Sequence, residues 1–122
     1  MIVIDTSTLV DIERDAIPNT AKQHLQNKTI AITSLTYAEY WYGLLPNPKA
    51  ELVTRLQEYK VIQTTRKSAE LFAEYKQRLQ DTGGPIPDFD LFIATITISH
   101  NASLLTRDKH FQQIDDLKTI TY

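Results

Sequence analysis

The chain alternates between short, continuous apolar runs and longer stretches in which apolar residues recur at helical spacing. The short runs are rich in β-branched side chains, which is typical of strands buried on both faces of a parallel sheet. The longer stretches predict helices that lie between these strands. We expect strands at 2–4, 29–33, 61–64, 102–106 and 118–122. We expect helices at 7–14, 20–26, 34–45, 50–59, 68–80 and 88–99, and a short helical turn at 111–114.

One segment, 88–99, fits two structures. Its alternating β-branched residues at 96–98 favour a strand by propensity. However, Asp88 follows a proline and is a reasonable N-cap, and 102–106 is the better strand. We therefore predict a helix here. Strands then alternate with helices throughout, which predicts an α/β fold: a three-layer α/β/α sandwich with a central, mainly parallel sheet.

Composition limits the classes of protein that fit. The chain has 122 residues, which is enough for one domain, 1–122, with a hydrophobic core. No apolar run approaches the length of a membrane span, and no secretory signal precedes the first strand. The absence of cysteine excludes disulfides, thiolate metal sites and thiol catalysis, and we expect a cytoplasmic protein. The net charge of −2 argues against binding nucleic acid by bulk positive charge.

Four acidic residues follow predicted strands or begin predicted helices. Asp5 ends the first strand and Asp108 follows the fourth, while Glu39 and Asp90 lie near the starts of helices. In a parallel sheet these positions share the edge at which ligands bind, provided that the helix carrying Asp90 starts there. Carboxylates about 5 Å apart repel each other by roughly 1 kcal/mol per pair in water and by more at lower dielectric. Such a cluster is reasonable if it holds Mg²⁺ or Mn²⁺, which prefer oxygen ligands.

Each acid also has a simpler interpretation. Asp5 fits a helix cap, and Thr36 and Glu39 have the spacing of a capping box. Asp90 fits a residue that interacts favourably with a helix dipole, and Asp108 fits a turn. Taken singly, each acid fits these roles as well as it fits a metal site.

The chain resembles PIN-domain ribonucleases, and specifically VapC-type toxins of bacterial toxin–antitoxin pairs. The matching stretches are Ile-Asp-Thr-Ser at 4–7, Ser-Leu-Thr-Tyr-Ala-Glu at 34–39, Ile-Pro-Asp-Phe-Asp-Leu-Phe-Ile-Ala at 86–94 and Leu-Leu-Thr-Arg-Asp-Lys-His-Phe at 104–111. They occur in the family's order across essentially the whole chain. The chain departs from the family pattern at Thr95, where alanine is common, and Asp108 falls at a position that often carries asparagine.

The resemblance implies Mg²⁺- or Mn²⁺-dependent cleavage of RNA by an α/β/α PIN domain. It assigns the metal site to Asp5, Glu39, Asp90 and Asp108, and suggests that the hydroxyls of Ser7 and Thr106 line that site. It also implies a homodimer and a cognate antitoxin protein that reaches into the acidic site. We treat the histidine at 110 as structural, although it follows the fourth acid closely.

Two other functions remain open from the residues alone. A non-catalytic PIN-like module would bind RNA or protein without cutting, but it would have no reason to keep all four acids. A phosphatase of the haloacid-dehalogenase type also begins with a strand and an aspartate. It needs a second aspartate where this chain has Ser7, so it ranks low.

Overall fold

A central sheet of five parallel strands organises the molecule in the computed structural model, which describes residues 1–122. The strands are β1 Ile2–Ile4, β2 Ile30–Thr33, β3 Lys60–Ile62, β4 Ser103–Thr106 and β5 Lys118–Thr121. They lie in the order β3-β2-β1-β4-β5. Because β1 is the central strand and has helices on both sides, its Val3 and Ile4 are fully buried.

The helices cover both faces of this sheet. They are α1 Thr6–Glu13, α2 Asn19–Leu25, α3 Ser34–Leu44, α4 Ala50–Glu58, α5 Arg66–Thr82 and α6 Asp88–Ser99, with a 3₁₀ helix at Lys109–Gln113. On one face α5 and α6 pack against Val3 and Leu104 of the sheet. On the other face α1 to α4 pack against Ile4 and Leu105. The predicted three-layer α/β/α sandwich is confirmed. None of these helices has both the length and the hydropathy of a membrane span.

The segment at 88–99 is a helix, as predicted, and tertiary packing decides it. Six of its residues are buried, including Ile96 and Thr97. A helix that is apolar on nearly all sides can bury β-branched residues in a core, and that burial outweighs their strand propensity. The other predicted boundaries differ from the observed ones by a few residues at most.

Two predicted helix caps are wrong. Asp88 is the first residue of α6 rather than its N-cap, which is Pro87, and the Asp88 carboxylate lies 3.2 Å from Lys76 Nζ. The alternative interpretation of Thr36 and Glu39 as a capping box is also wrong. The helix α3 begins at Ser34, as predicted, and its N-cap is Thr33, whose Oγ1 accepts a hydrogen bond from the backbone N–H of Thr36 at 3.2 Å. Glu39 is therefore free of a capping role.

Candidate active site

The four predicted acids lie along the carboxyl-terminal edge of the sheet. Asp5 directly follows β1, and Asp108 lies just beyond β4, which is paired with β1 through Ile4 and Leu105. Glu39 lies in α3, which starts immediately after β2, and Asp90 lies in the first turn of α6. The sheet topology thus brings residues that are distant in sequence to one side of the molecule.

Asp5 is both a helix cap and a buried acid at this edge. Its Oδ1 accepts a hydrogen bond from the backbone N–H of Thr8 at 3.0 Å, so the capping interpretation is confirmed. Its Oδ2 accepts a hydrogen bond from Thr106 Oγ1 at 2.6 Å. Only 3% of Asp5 is exposed, and this burial raises its pKa; the charge of Asp108 adds to the rise, while the bonds from Thr106 and Thr8 oppose it.

Of the two hydroxyls predicted to line the site, only Thr106 contacts an acid. Thr106 is fully buried, and its Oγ1 also accepts a hydrogen bond from the backbone N–H of Asp108 at 3.0 Å. It therefore joins the side chain of Asp5 to the backbone of Asp108. Ser7 lies partly exposed in the first turn of α1 and makes no side-chain hydrogen bond.

Glu39 is exposed and is held by a hydroxyl that the sequence analysis missed. Thr6 Oγ1 donates a hydrogen bond to Glu39 Oε1 at 2.6 Å and lies 3.5 Å from Thr36 Oγ1. Thr6 follows Asp5 directly, and this position beside a proposed ligand is the sequence feature that could have indicated its role. Its partner on α3 depends on how the helices pack, which no local pattern shows.

Asp90 faces His110, a residue that we had treated as structural. His110 Nε2 lies 3.2 Å from Asp90 Oδ2, within ion-pair distance, but the direction of the contact does not meet hydrogen-bond geometry and leaves this buried nitrogen without a hydrogen-bond partner. Burial raises the pKa of Asp90, and His110 opposes that rise. The charges of Glu39, Asp5 and Asp108 raise the pKa further.

The effect of all three other acids on Asp90 shows that the four carboxylates share one electrostatic environment. At the same time, no group of three or more His, Asp or Glu side chains is arranged to hold a metal ion in this structure. The donor chemistry nevertheless suits Mg²⁺ or Mn²⁺, since every candidate ligand atom is a carboxylate oxygen. The summed negative charge of the four carboxylates supplies the field that would attract such a cation.

A second hydrogen-bonded group, also missed from the sequence, lies beside these acids. Asp11 Oδ2 accepts hydrogen bonds from Arg107 Nε at 2.9 Å and from Tyr122 Oη at 2.7 Å. Tyr122 Oη also lies 3.1 Å from Thr8 Oγ1, which donates to the carbonyl of Leu105. This group connects α1 to the ends of β4 and β5.

Comparison with known proteins identifies the family. The model of the PIN domain family matches residues 2–117, nearly the whole chain. This chain belongs to the PIN domain family. Among curated relatives, ribonuclease VapC2 of Rickettsia felis is 32% identical over 84% of this chain and 81% of its own length. Ribonuclease VapC1 of Haemophilus influenzae is 27% identical over 95% of this chain and 93% of its own length.

Solved structures agree with this PIN fold. VapBC2 from Rickettsia felis, bound to a DNA fragment from its promoter, matches with a TM-score of 0.84 and 29% identity, covering 100% of this chain and 99% of that one. VapBC-1 from nontypeable Haemophilus influenzae matches in fold with a TM-score of 0.85 at 23% identity, covering 99% and 98%.

A groove runs from the acidic edge of this PIN domain along α1, α3 and α4. Its volume is about 320 Å³, and Thr6 and Glu39 lie in its wall beside the apolar side chains of Val10, Leu44 and Leu52. The aromatic residues of α3 mainly serve the core: Tyr37, Tyr40 and Trp41 pack against the cluster under α1 to α4. Tyr42 is the exception, with 78% of its surface exposed.

Proposed function

We propose that this PIN domain protein is a metal-dependent endoribonuclease and acts as the toxin of a toxin–antitoxin pair. The observation that carries the proposal is the gathering of Asp5, Glu39, Asp90 and Asp108 at one sheet edge, where the other three acids all raise the pKa of Asp90. The names of its relatives, ribonucleases VapC2 and VapC1, support RNA as the substrate.

Asp5, Glu39, Asp90 and Asp108 would hold Mg²⁺ or Mn²⁺, which prefer oxygen ligands. When bound, the cation would supply charge stabilisation at the phosphodiester and make water a better nucleophile. Because no three of these side chains are arranged to hold a metal ion in this structure, binding would require them to rearrange.

Neutral hydrogen-bond donors orient two of the proposed ligands, Asp5 and Glu39. Thr106 and the backbone N–H of Thr8 fix both oxygens of Asp5, and each oxygen keeps a free lone pair. Thr6 restrains Glu39 in the same way. His110 restrains Asp90 from the side of the 3₁₀ helix. We infer that these residues position the acids and that none of them needs to act as a base.

We propose two protein partners. A cognate antitoxin would lie in the groove beside Glu39, whose apolar wall suits a helix or extended segment ending at the acids. Support comes from the solved relatives, which include VapBC complexes. A homodimer is proposed from the family, and exposed Tyr42 and Leu45 at the end of α3 offer apolar surface for one of these contacts. That 1–122 is one domain in the cytoplasm stays a prediction.

The test is cleavage of total RNA by the purified chain with Mn²⁺, with EDTA and in the Asp90→Asn variant. The matched control is Asp88→Asn, which removes an acid from the same helical turn; that acid pairs with Lys76 outside the site. We expect discrete fragments from wild type and Asp88→Asn with Mn²⁺ only, and none from Asp90→Asn. Mapping the fragment ends would identify the substrate RNA.

Two outcomes would contradict this function. Cleavage that survives EDTA or the Asp90→Asn change would come from another site or a contaminant. A folded, antitoxin-free chain that binds RNA without cutting it would favour the non-catalytic module.

A further inference from the structure

One arginine lies at the acidic edge in a fixed position. Arg107 stands between Thr106 and Asp108, and its Nε donates a hydrogen bond to Asp11 Oδ2 at 2.9 Å. Tyr122 Oη donates to the same oxygen at 2.7 Å, and only 17% of the Asp11 side chain is exposed. Because a partly buried carboxylate anchors Nε, the guanidinium loses less freedom on binding a ligand than a free surface arginine would.

The rest of that guanidinium remains available. Its Nε bond to Asp11 is the only side-chain hydrogen bond that Arg107 makes, and 51% of the side chain is exposed. Two terminal nitrogens with four N–H groups can therefore face a ligand, and this planar pair matches the oxygens of a phosphate. Neighbouring Lys109 is exposed and has no ion-pair partner to orient it.

The position of Arg107 also answers an electrostatic difficulty. Four carboxylates at one edge repel the phosphates of RNA, and the net charge of −2 gives no general attraction. Arg107 directly precedes Asp108 in the chain, so its guanidinium supplies positive charge at the rim of this acidic edge. A fixed cation at the rim would hold a backbone phosphate while leaving the acids themselves free.

We propose that Arg107 binds a phosphate of the RNA backbone at the rim of the acidic site, and that Asp11 and Tyr122 hold it in place for this contact. The inference rests on the proposed nuclease function and names the group that would bind the substrate. Arg107 is then a substrate-binding residue, and Asp11 and Tyr122 are positioning residues.

The chain offers a matched control. Arg55 makes the same kind of contact, with its Nε 2.6 Å from Glu13 Oε2 and 45% of the side chain exposed. Arg55 lies beside Thr29 and Lys60, at the starts of β2 and β3 and thus at the opposite edge of the sheet from the acids. Arg55→Gln therefore removes the same charge and the same kind of ion pair without touching Arg107, Asp11 or Tyr122.

The experiment measures binding of a fluorescein-labelled single-stranded RNA by anisotropy between about 50 and 200 mM salt. The parent protein is the uncleaving Asp90→Asn variant with Mg²⁺. We expect Arg107→Gln to weaken binding about tenfold and to reduce the slope of log affinity against log salt by about one, as for the loss of one phosphate contact. Arg107→Lys should recover the slope but only part of the affinity, because lysine keeps the charge without the planar fork. Arg55→Gln should change neither quantity.

Kinetics and melting separate substrate binding from folding. In the otherwise wild-type chain, Arg107→Gln should raise KM for the mapped RNA about tenfold with little change in kcat. Tyr122→Phe should raise KM a few-fold at an unaltered salt slope, since it loosens the anchor without removing charge. A change in Tm that tracks the change in KM across these variants would overturn the proposal in favour of a structural role.

Three results would contradict the inference directly: unchanged RNA affinity in Arg107→Gln, an equal loss in Arg55→Gln, or no RNA binding by the parent. These outcomes are distinct from a failure of the nuclease proposal. RNA binding that depends on Arg107, without cleavage by the wild type, would support this contact and refute the nuclease function. Cleavage that does not depend on Arg107 would support the nuclease function and refute this contact.

Discussion

Removing the hydroxyl of Thr106 should show how much the hydrogen bond to Asp5 contributes to the stability of the fold. Thr106→Val keeps the shape of a fully buried side chain but deletes the 2.6 Å bond to Asp5 Oδ2 and the 3.0 Å bond from the Asp108 N–H. A hydrogen bond to a buried charged group contributes about 1.5–3 kcal/mol. The Asp108 amide is only partly buried, so water replaces much of its lost partner. We expect a loss of about 2–3 kcal/mol in the free energy of unfolding at neutral pH.

The stability lost in Thr106→Val should depend on pH, which distinguishes the loss of a bond to a charged group from a simple packing defect. Thr106 favours the charged form of Asp5, so deleting its hydroxyl raises an already raised pKa further. The deficit should be small below the wild-type folded pKa of Asp5, where the carboxyl is protonated in both proteins, and should grow to full size above the variant's folded pKa. With an unfolding entropy of about 0.25 kcal/mol/K for this length, Tm should fall by about 8–12 °C at neutral pH.

The assay is thermal and urea unfolding across a pH series in EDTA, with Thr97→Val as the control. Thr97 is also fully buried, but its hydroxyl donates to the backbone carbonyl of Ile93 at 2.7 Å. Its substitution should therefore have a cost that does not change with pH. A Thr106→Val variant as stable as wild type, or one whose deficit is the same at every pH, would refute the electrostatic reasoning.

Three further predictions concern the charge of Asp90, the end of α5 and the binding of Mn²⁺. Asp90→Asn should raise stability by about 1 kcal/mol at neutral pH, because burial and neighbouring acids make charged Asp90 unfavourable. The gain should shrink as the pH falls below the folded pKa of Asp90 and vanish below its lower, unfolded pKa; a destabilised variant at neutral pH would contradict this account. Gly83→Ala should lower stability by about 1 kcal/mol in urea unfolding, since Gly83 ends α5 at φ 72°, whereas Gly43→Ala, in an open helical position, should not. Mn²⁺ at about 100 times its Kd should stabilise wild type by about 2.7 kcal/mol, read as a Tm rise of roughly 10 °C, and should stabilise Asp90→Asn much less.

The sequence predicted what local pattern and topology determine. The order of strands and helices followed from apolar runs and helical spacing, and the shared edge of Asp5 and Asp108 followed from their places after parallel strands. The contact of Thr6 with Glu39 and that of Arg107 with Asp11 were not predicted. Each joins residues far apart in the chain, and each depends on helix packing that no local pattern encodes.

The pairing of the basic residues explains why the acidic edge keeps its negative field. Every Lys or Arg ion pair in the structure uses an acid outside the proposed ligand set. These pairs are Lys22–Asp15, Arg55–Glu13, Lys76–Asp88 and Arg107–Asp11. The ligand acids are held by hydroxyls, by a backbone N–H and, for Asp90, by His110. A lysine or arginine bonded to those oxygens would lower their pKa values and stabilise the fold, but it would also occupy the ligand atoms and cancel the field. Threonines orient Asp5 and Glu39 without cancelling their charge, so Asp5 and Asp90 remain destabilising when ionised. Burial of these carboxylates, together with their mutual repulsion, is what a bound divalent cation would offset, which is why the same carboxylates should be unfavourable for folding and favourable for metal binding.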